Sequence, residues 1–203
     1  MRYRLEHLNP ALEQALDALL SSTGHARADA GADADALVVG IGAPQLGTAL
    51  LDVEPQAWEE AIGRMRAAFV AVRALASELV AREAPGRVVV VVDPPVLRAA
   101  ERTGLPAVAG AFLTTLAQVA ALDLGPRGIA VNVLVAGWMA PAPAALAQGV
   151  PLGRLADPDD VARACAFLLS PDQAAYVNGA TLAVDGGWFI TKADGGNPLT
   201  AGG

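Results

Sequence analysis

A glycine-rich stretch is the first feature of this sequence that could bind a ligand. Gly40, Gly42 and Gly47 follow an apolar run, and glycines can let backbone N–H groups approach the phosphates of a dinucleotide. The third glycine of that fingerprint would fall at position 45, which is Gln45, and the next helix is expected only near Pro55. We therefore interpret the stretch as an ordinary turn at a strand end.

Three aspartates and the single cysteine are further candidates for chemistry. Asp157, Asp159 and Asp160 could hold a metal ion, but they stand at a predicted helix start, where carboxylates cap N–H groups and complement the helix dipole. Cys165 lies on an alanine-rich helix face and is predicted to be a core residue rather than a reactive thiol. The two histidines are far apart in the chain and indicate no histidine-based catalysis.

The composition restricts the class of protein. The chain has 203 residues, 54% hydrophobic and 4% aromatic, with a net charge of −7. This acidic balance argues against nucleic acid and anionic membranes as partners, because both select basic patches. The N-terminus is too polar for a signal peptide, and we expect no membrane-spanning helix. One cysteine excludes an internal disulfide and fits a cytoplasmic location.

Apolar runs alternate with helical periodicity along the chain. Strands are predicted over 2–8, 36–41, 88–92, 129–135 and 181–184, and helices over 55–82, 105–124 and 158–170, with a further helix starting at Asn9–Pro10 and loops over 21–35 and 137–153. The alternation predicts one α/β domain over 1–190 with a doubly wound parallel sheet, followed by a glycine-rich tail over 191–203. The N-terminal strand is expected beside the strand at Ala36, since an uncovered apolar edge invites aggregation.

Three stretches carry a family resemblance. They are 124–132 (LGPRGIAVN), 151–162 (PLGRLADPDDVA), and 176–179 (YVNG) leading to 184–188 (VDGGW). In this order and spacing they resemble the short-chain dehydrogenase/reductase family. The resemblance implies a Rossmann-like seven-stranded sheet and NAD(P)-dependent hydride transfer, performed by a serine, a tyrosine and a lysine and usually assisted by an asparagine.

The catalytic residues implied by the resemblance are replaced in this chain. Counting from Asn132 by the family spacing, the serine, tyrosine and lysine positions hold Asp93, Pro106 and Gly110. The asparagine position holds Met65, or Arg64 if the alignment slips by one. The only lysine is at position 192, so no Tyr-x-x-x-Lys motif exists in the sequence. We expect no catalytic residue here. Asp93 is interpreted as a cap, with a new catalytic carboxylate as the alternative.

The cofactor-binding residues implied by the resemblance are also absent. The N-terminal strand and helix resemble the family's third strand and the helix after it, which predicts a truncated sheet lacking the first β-α-β-α units. The phosphate-binding turn and the ribose-binding acidic residue would then be missing. The family's Asn-Asn-Ala-Gly is here Val39 to Gly42, and its Pro-Gly is Ala136-Gly137. We therefore expect no cofactor in this chain, with NAD(P) bound in a partner subunit.

The subunit contacts implied by the resemblance are retained. Family members pair through their two long helices and through the last helix and strand. The residues predicted to lie in such interfaces are Met65, Phe69, Val72, Phe112, Leu116 and Trp188. The leading hypothesis is a catalytically inactive subunit that forms a hetero-dimer or hetero-tetramer with an active homologue. It resembles the inactive subunit of hetero-oligomeric members such as the dehydrogenase acting on 2-(hydroxyphenylmethyl)succinyl-CoA, so an acyl-CoA-type substrate is one expectation.

Two other functions stay open from the sequence. The chain could be a stand-alone binding or regulatory protein that uses the cleft of the old active site. It could instead be an enzyme with new chemistry at Asp93.

Overall fold

The computed structural model describes residues 1–29, 32–41, 48–94, 104–140 and 142–191, so most of the predicted tail lies outside the described residues. The strands are β1 Arg2–Glu6, β2 Ala26–Arg27, β3 Ala36–Val39, β4 Gly86–Val92, β5 Ile129–Ala136 and β6 Thr181–Val184. They form one parallel sheet in the order β2-β1-β3-β4-β5-β6. The long helices are α1 Pro10–Ser22, α2 Pro55–Ala81, α3 Gly104–Leu124 and α4 Pro158–Leu169. The predicted parallel α/β sheet is confirmed.

Helices cover both faces of the sheet. Successive side chains of a strand point to opposite faces, so Val88 and Val90 of β4 pack under α2 and α3, while Val89 and Val91 pack under α1 and α4. Apolar residues on both faces explain why the central strands are continuous hydrophobic runs rather than alternating ones. Two separate cores result, one on each side of the sheet.

The position of β1 confirms the expectation for the N-terminal strand. Tyr3 pairs with Ala36 and Leu5 with Val38, so β1 lies directly beside β3. The buried Tyr3 ring closes the edge of the core, and its hydroxyl donates to Asp17 Oδ1 of α1 at 2.8 Å. Alternating burial of Tyr3 and Leu5 fixes the register of this strand, because a slip of one residue would expose both.

Two expectations about the N-terminal region are wrong. Residues 21–35 were expected to form a loop, yet they contain the short strand β2, which pairs with the outer side of β1. The proposed equivalence of β1 with the family's third strand also fails, because β1 and β2 take the places of strands one and two in a doubly wound sheet. The isolated two-residue pairing of β2 explains why periodicity did not reveal it. The predicted truncation of the sheet stays a prediction.

The helices α2 and α3 cover one face of the sheet. In α2 the spacing of Met65, Ala68, Val72, Leu75 and Leu79 sets one apolar stripe against the sheet. In α3 the corresponding buried residues are Ala109, Leu113, Ala117 and Ala121.

The apolar composition of α3 bears on the expectation that no helix of this chain spans a membrane. Among the described residues, only the segment 104–127 is long and apolar enough to cross a membrane, whereas none was expected. This is weak evidence for a membrane span, because core helices pass the same test. The buried face of α3 packs on the sheet, which accounts for the apolar residues Ala109, Leu113, Ala117 and Ala121.

Candidate functional site

The carboxyl ends of the parallel strands meet at one edge of the sheet, where doubly wound folds bind their ligands. Gly40 follows β3, Asp93 follows β4 and Gly137 follows β5. Gly137 donates its N–H to Val184 O at 2.8 Å, and a Cβ there would lie 2.9 Å from the same oxygen, so a side chain is excluded. The two remaining glycines of the candidate fingerprint, at positions 42 and 47, lie outside the described residues.

Asp93 is a partly buried carboxyl group at this edge. It stands where the resemblance places the catalytic serine. Burial raises the pKa of Asp93 from its ordinary 3.8 to about 7, because an apolar environment disfavours the charged form. A serine would donate a hydrogen bond to a developing alkoxide, whereas an ionised Asp93 would repel that charge. Near neutral pH the group can nevertheless gain or lose a proton.

The tyrosine and lysine positions lie at the start of α3. Pro106 and Gly110 are both buried on the sheet-facing side of this helix. The Gly110 carbonyl accepts a hydrogen bond from Thr114 Oγ1 at 2.9 Å, so its polar contact is internal to the helix. Neither side chain can carry a charge or move a proton. These two positions therefore supply neither the tyrosine nor the lysine that the family's acid–base chemistry uses.

A small cleft lies between the first turns of α2 and α3. Its volume is about 40 Å³, and Ile41, Glu60, Arg64, Pro106 and Ala109 are among its lining residues. A cleft of this size has room for a water molecule. Arg64 lines the cleft, whereas the neighbouring residue at the family's asparagine position, Met65, is buried in the core.

The turn between β1 and α1 stands where a doubly wound fold binds a pyrophosphate. It contains no glycine, and its residue Leu8 is buried in the core. Asn9 caps α1 from within the chain, because its Oδ1 accepts from Ala11 N at 2.9 Å. Pro10 opens the helix and has no N–H to offer. At the first two helical positions, Pro10 and Ala11, a donor for a phosphate is thus absent or already paired, so these two positions do not fit a dinucleotide phosphate.

A second cleft lies on the other side of β6. It has a volume of about 550 Å³ and is lined by Trp138, Arg154, Asp160 and Asp185, among others. Trp138 is buried and packs edge-on against Trp188 with ring centroids 5.6 Å apart. The Trp138 Nε1 atom has no hydrogen-bond partner within the described ranges. The cleft is an open groove with one unsatisfied donor in its wall.

The aspartate cluster has the structural role expected from the sequence. Asp160 Oδ2 accepts from the backbone N–H of Asp157 at 3.0 Å and from Arg154 at 2.7 Å. The Arg154 guanidinium lowers the pKa of Asp160 to about 2. In the part of the chain that the structure describes, no cluster of three or more metal-ligating residues occurs. These carboxylates therefore cap the N-terminus of α4.

Cys165 also has the predicted role. It is fully buried between α4 and the sheet, and burial raises the pKa of its thiol to about 12. The thiol is therefore a core group and not a nucleophile.

The predicted interface residues divide into two groups. Phe69 and Phe112 are about two-fifths exposed, at 42% and 40%, and Leu116 is partly buried. Met65 and Val72 instead belong to the core under α2, and Trp188 is buried against Trp138. For these three residues the interface expectation is wrong, because they face the sheet or the neighbouring indole. Other apolar side chains take their place on the exposed surface of α2 and α3: Trp58, Ile62, Val70, Val108, Val119 and Leu122.

Two asparagines hold the C-terminal part of the sheet together, a role that sequence reasoning missed. Asn132 on β5 donates to Val177 O and accepts from Ala180 N, both at 3.0 Å. Asn178 accepts from Val131 N at 2.9 Å and donates to Ala121 O at 3.0 Å. The sequence signal for this role is the polar residue Asn132 inside the apolar run of β5, because a buried amide needs hydrogen-bond partners.

Comparison with known proteins identifies the family. A family model described as "Enoyl-(Acyl carrier protein) reductase" matches residues 23–189. "Protein MoaE" of Klebsiella aerogenes is 35% identical over 148 residues, which are 63% of this chain and 56% of that protein. L-xylulose reductase of Bos taurus is 32% identical over 153 residues, 70% of this chain and 62% of that protein. The chain belongs to the short-chain dehydrogenase/reductase family, although the matches span less than two thirds of these relatives.

Solved structures agree on the fold. Acetoin dehydrogenase YohF from Salmonella typhimurium superposes with a TM-score of 0.83 at 18% identity, over 96% of this chain and 100% of that chain. A 2-deoxy-D-gluconate 3-dehydrogenase, described as putative, from Agrobacterium tumefaciens with bound NADP superposes with a TM-score of 0.77 at 23% identity, over 93% and 97% of the two chains. At these identities the likeness establishes the Rossmann-like architecture alone.

Proposed function

We propose that this chain is a non-catalytic subunit that associates with an active NAD(P)-dependent dehydrogenase of the same family. The observation that carries the proposal is the pair Pro106 and Gly110, buried on α3 at the positions of the family's tyrosine and lysine. Without the family's tyrosine, a carbonyl substrate has no proton donor at this position. Without the family's lysine, no cation lies there to lower the pKa of such a donor. The capped α1 start is an independent argument against hydride transfer by this chain alone.

The exposed apolar surface of α2 and α3 supports the association. It includes Phe69, Phe112 and Leu122, the last of which is 77% exposed. Large contiguous apolar patches on a folded chain mark interaction sites, because leaving them in water costs free energy. In our proposal NAD(P) is bound by the partner, and the complex acts on a hydroxy or keto compound. An acyl-CoA-type substrate follows only from the likeness to hetero-oligomeric members.

The test is co-purification followed by activity measurement. The tagged chain is expressed in its own host, and a stoichiometric partner is sought that is a family member with an intact Tyr-x-x-x-Lys motif. The proposal expects dehydrogenase turnover from the complex and none from this chain alone. A matched pair of variants uses Phe112→Asp to break the α3 surface and Asp172→Asn, exposed elsewhere, as the control. A chain that stands alone without a dehydrogenase partner, or that turns over substrate alone, contradicts the proposal.

Asp93 favours a second candidate, an enzyme with new chemistry. Its pKa, raised to about 7 by burial, suits a general acid or base at neutral pH. Loss of a measured turnover in Asp93→Asn, with the fold retained, would favour this candidate over the first. The groove beside Trp138 favours a stand-alone binding protein, and a ligand that quenches the tryptophan fluorescence would support it.

A further inference from the structure

The groove beside the last strand is large enough to hold a small molecule. Its volume of about 550 Å³ lies within the range of roughly 300–1,000 Å³ that small-molecule sites occupy. Ala183 and Val184 of β6 line it, as do residues of α4 and of the segment before α4. We call it the β6 cleft. It shares no lining residue with the small cleft at the starts of α2 and α3, so it is a separate site.

The apolar part of the β6 cleft belongs to a small core of its own. Trp138 and Val150 are 4% and 6% exposed, and they pack with Leu146 and Trp188 in a cluster separate from the two cores of the sheet. The Trp138 and Trp188 rings meet edge-on, which holds the Trp138 indole in place. The apolar body of a ligand would therefore meet a preformed surface, so little side-chain ordering opposes binding.

Trp138 also carries a donor that the chain does not use. Its Nε1 atom has no hydrogen-bond partner among the described residues, although the side chain is buried. Buried N–H groups in folded proteins nearly always have an acceptor, because an unpaired one costs free energy. An unpaired donor in the wall of a cleft points to an acceptor from outside this part of the chain, such as solvent or a ligand oxygen.

Two guanidinium groups stand together in the charged part of the β6 cleft. Asp160 holds both of them, since its Oδ2 accepts from Arg154 Nη1 at 2.7 Å and its Oδ1 accepts from Arg163 Nη2 at 2.9 Å. The other nitrogens of these two arginines have no partner in the described part of the chain. Two neighbouring cations thus keep unused donors, which an anion can accept.

The carboxylates of the β6 cleft do not cancel this preference. Two aspartates line the cleft, Asp160 and Asp185. Asp185 is 8% exposed, and its two oxygens accept from the backbone N–H groups of Gly187 and Phe189. Asp160 accepts from both arginines and from the backbone N–H of Asp157. Each carboxylate oxygen in the lining therefore already has a donor, whereas most guanidinium nitrogens have no acceptor, so the cleft favours an anion over a cation.

We propose that the β6 cleft binds a small amphipathic anion, with its charged head on Arg154 and Arg163 and its apolar body against the Trp138 wall. A carboxylate or phosphate head can accept two parallel hydrogen bonds from one guanidinium group. The inference goes beyond the proposed subunit role and does not depend on it, because the cleft is formed within this chain.

The test uses octanoate as the probe and the full chain carrying Trp58→Phe, which leaves Trp138 and Trp188 as its only tryptophans. Octanoate should change their fluorescence saturably, with a dissociation constant below about 1 mM. Octanol and octylamine have the same apolar body without the negative charge, and each should bind at least about tenfold more weakly. About 0.5 M NaCl should weaken octanoate binding. Titration with octyl phosphate shows which of the two anionic heads the cleft prefers.

Substitutions locate the site. Arg154→Gln/Arg163→Gln removes the guanidinium donors and should weaken octanoate binding at least about tenfold without changing octanol binding. Arg127→Gln, at an exposed position in the turn before β5, is the matched control and should bind octanoate as before. Ala183→Phe, at an exposed position of β6, fills the cleft and should abolish binding of both probes. Circular dichroism and urea unfolding check that each variant is folded.

Three results overturn the inference. One is the absence of a saturable fluorescence change up to about 10 mM octanoate. Another is equal binding of octanoate and octanol, since the arginines then select no anion. The third is octanoate binding that persists in Ala183→Phe, which would place the site elsewhere. All three differ from failure of the proposed function, which is recognised by turnover or cofactor binding in the isolated chain.

Discussion

The side-chain oxygen of Asn9 accepts a hydrogen bond at 2.9 Å from the backbone N–H of Ala11, at the start of α1. This contact lies at the edge where parallel strands end and where a dinucleotide phosphate would otherwise bind. Because Pro10 contributes no N–H, the Asn9 amide closes the first turn of the helix from within the chain. The start of α1 is therefore stabilised by residues of the chain itself.

Removal of this cap should lower stability. Asn9→Ala leaves the Ala11 N–H without its partner and should cost about 1 kcal/mol of the free energy of unfolding. Asn9→Asp, which keeps an accepting oxygen, should stay within a few tenths of the wild-type value. Urea unfolding followed by circular dichroism measures both. Equal stability of Asn9→Ala and the wild type would show that the cap does not stabilise α1.

The amide of Asn132 should matter more. Asn132→Leu removes both of its hydrogen bonds and leaves the Val177 carbonyl and the Ala180 N–H unpaired beside the apolar strand. The expected loss is about 2–4 kcal/mol, from two desolvated and unpaired backbone groups. Chemical denaturation measures this loss, with the exposed substitution Gln118→Leu as a control for added hydrophobicity. A neutral Asn132→Leu would contradict the bridging role.

Asp93 should make the stability of the fold depend on pH. Its pKa is about 7 in the folded chain and near 3.8 when unfolded, so between these values the unfolded state releases its proton first. The stability of the wild type relative to Asp93→Asn is therefore greatest below about pH 4, falls as the pH rises, and levels off above about pH 7. The full difference is at most about 4 kcal/mol. A pH-independent difference over pH 4–8 would show that the carboxyl is not held in an apolar environment.

The thiol of Cys165 should be protected while the chain is folded. Burial raises its pKa to about 12, so almost no thiolate exists at pH 8 and reagents have no access. We expect modification by a disulfide reagent to be at least about a hundredfold slower in the native chain than in guanidinium chloride. Absorbance of the released thiol product measures both rates. Rapid native modification would show that α4 separates readily from the sheet.

The strands and long helices could be predicted because their signals are strong. Five successive valines define β4, and Pro55 with the 3–4 spacing after it defines α2 within one residue of its end. Two-residue β2 carries no periodic signal, and the order of strands depends on long-range pairing. The family resemblance therefore assigns β1 to the third strand of the family, which is wrong, although the place of β1 beside β3 is predicted correctly.

The positions of the candidate site residues could be predicted from the sequence, but the packing around them could not. The residues at the family's catalytic positions follow from counting, but the raised pKa of Asp93 and the cap at Asn9 require the packed structure. The interface role of Phe69 and Phe112, which are exposed, stays a prediction, whereas Met65 is buried in the core and cannot take that role. Apolar residues three apart on one helix can face either the sheet or solvent, and composition alone does not separate the two.

Titration of the purified chain with NADH and NADPH in a calorimeter tests most directly whether this chain alone binds the nucleotide. The relative L-rhamnose 1-dehydrogenase (NAD(P)(+)) of Azotobacter vinelandii, 42% identical over 91 residues, serves as the positive control. Because the α1 start is capped by Asn9 and Pro10, we predict no saturable binding of either nucleotide up to about 1 mM. A dissociation constant in the micromolar range for this chain alone would contradict the account.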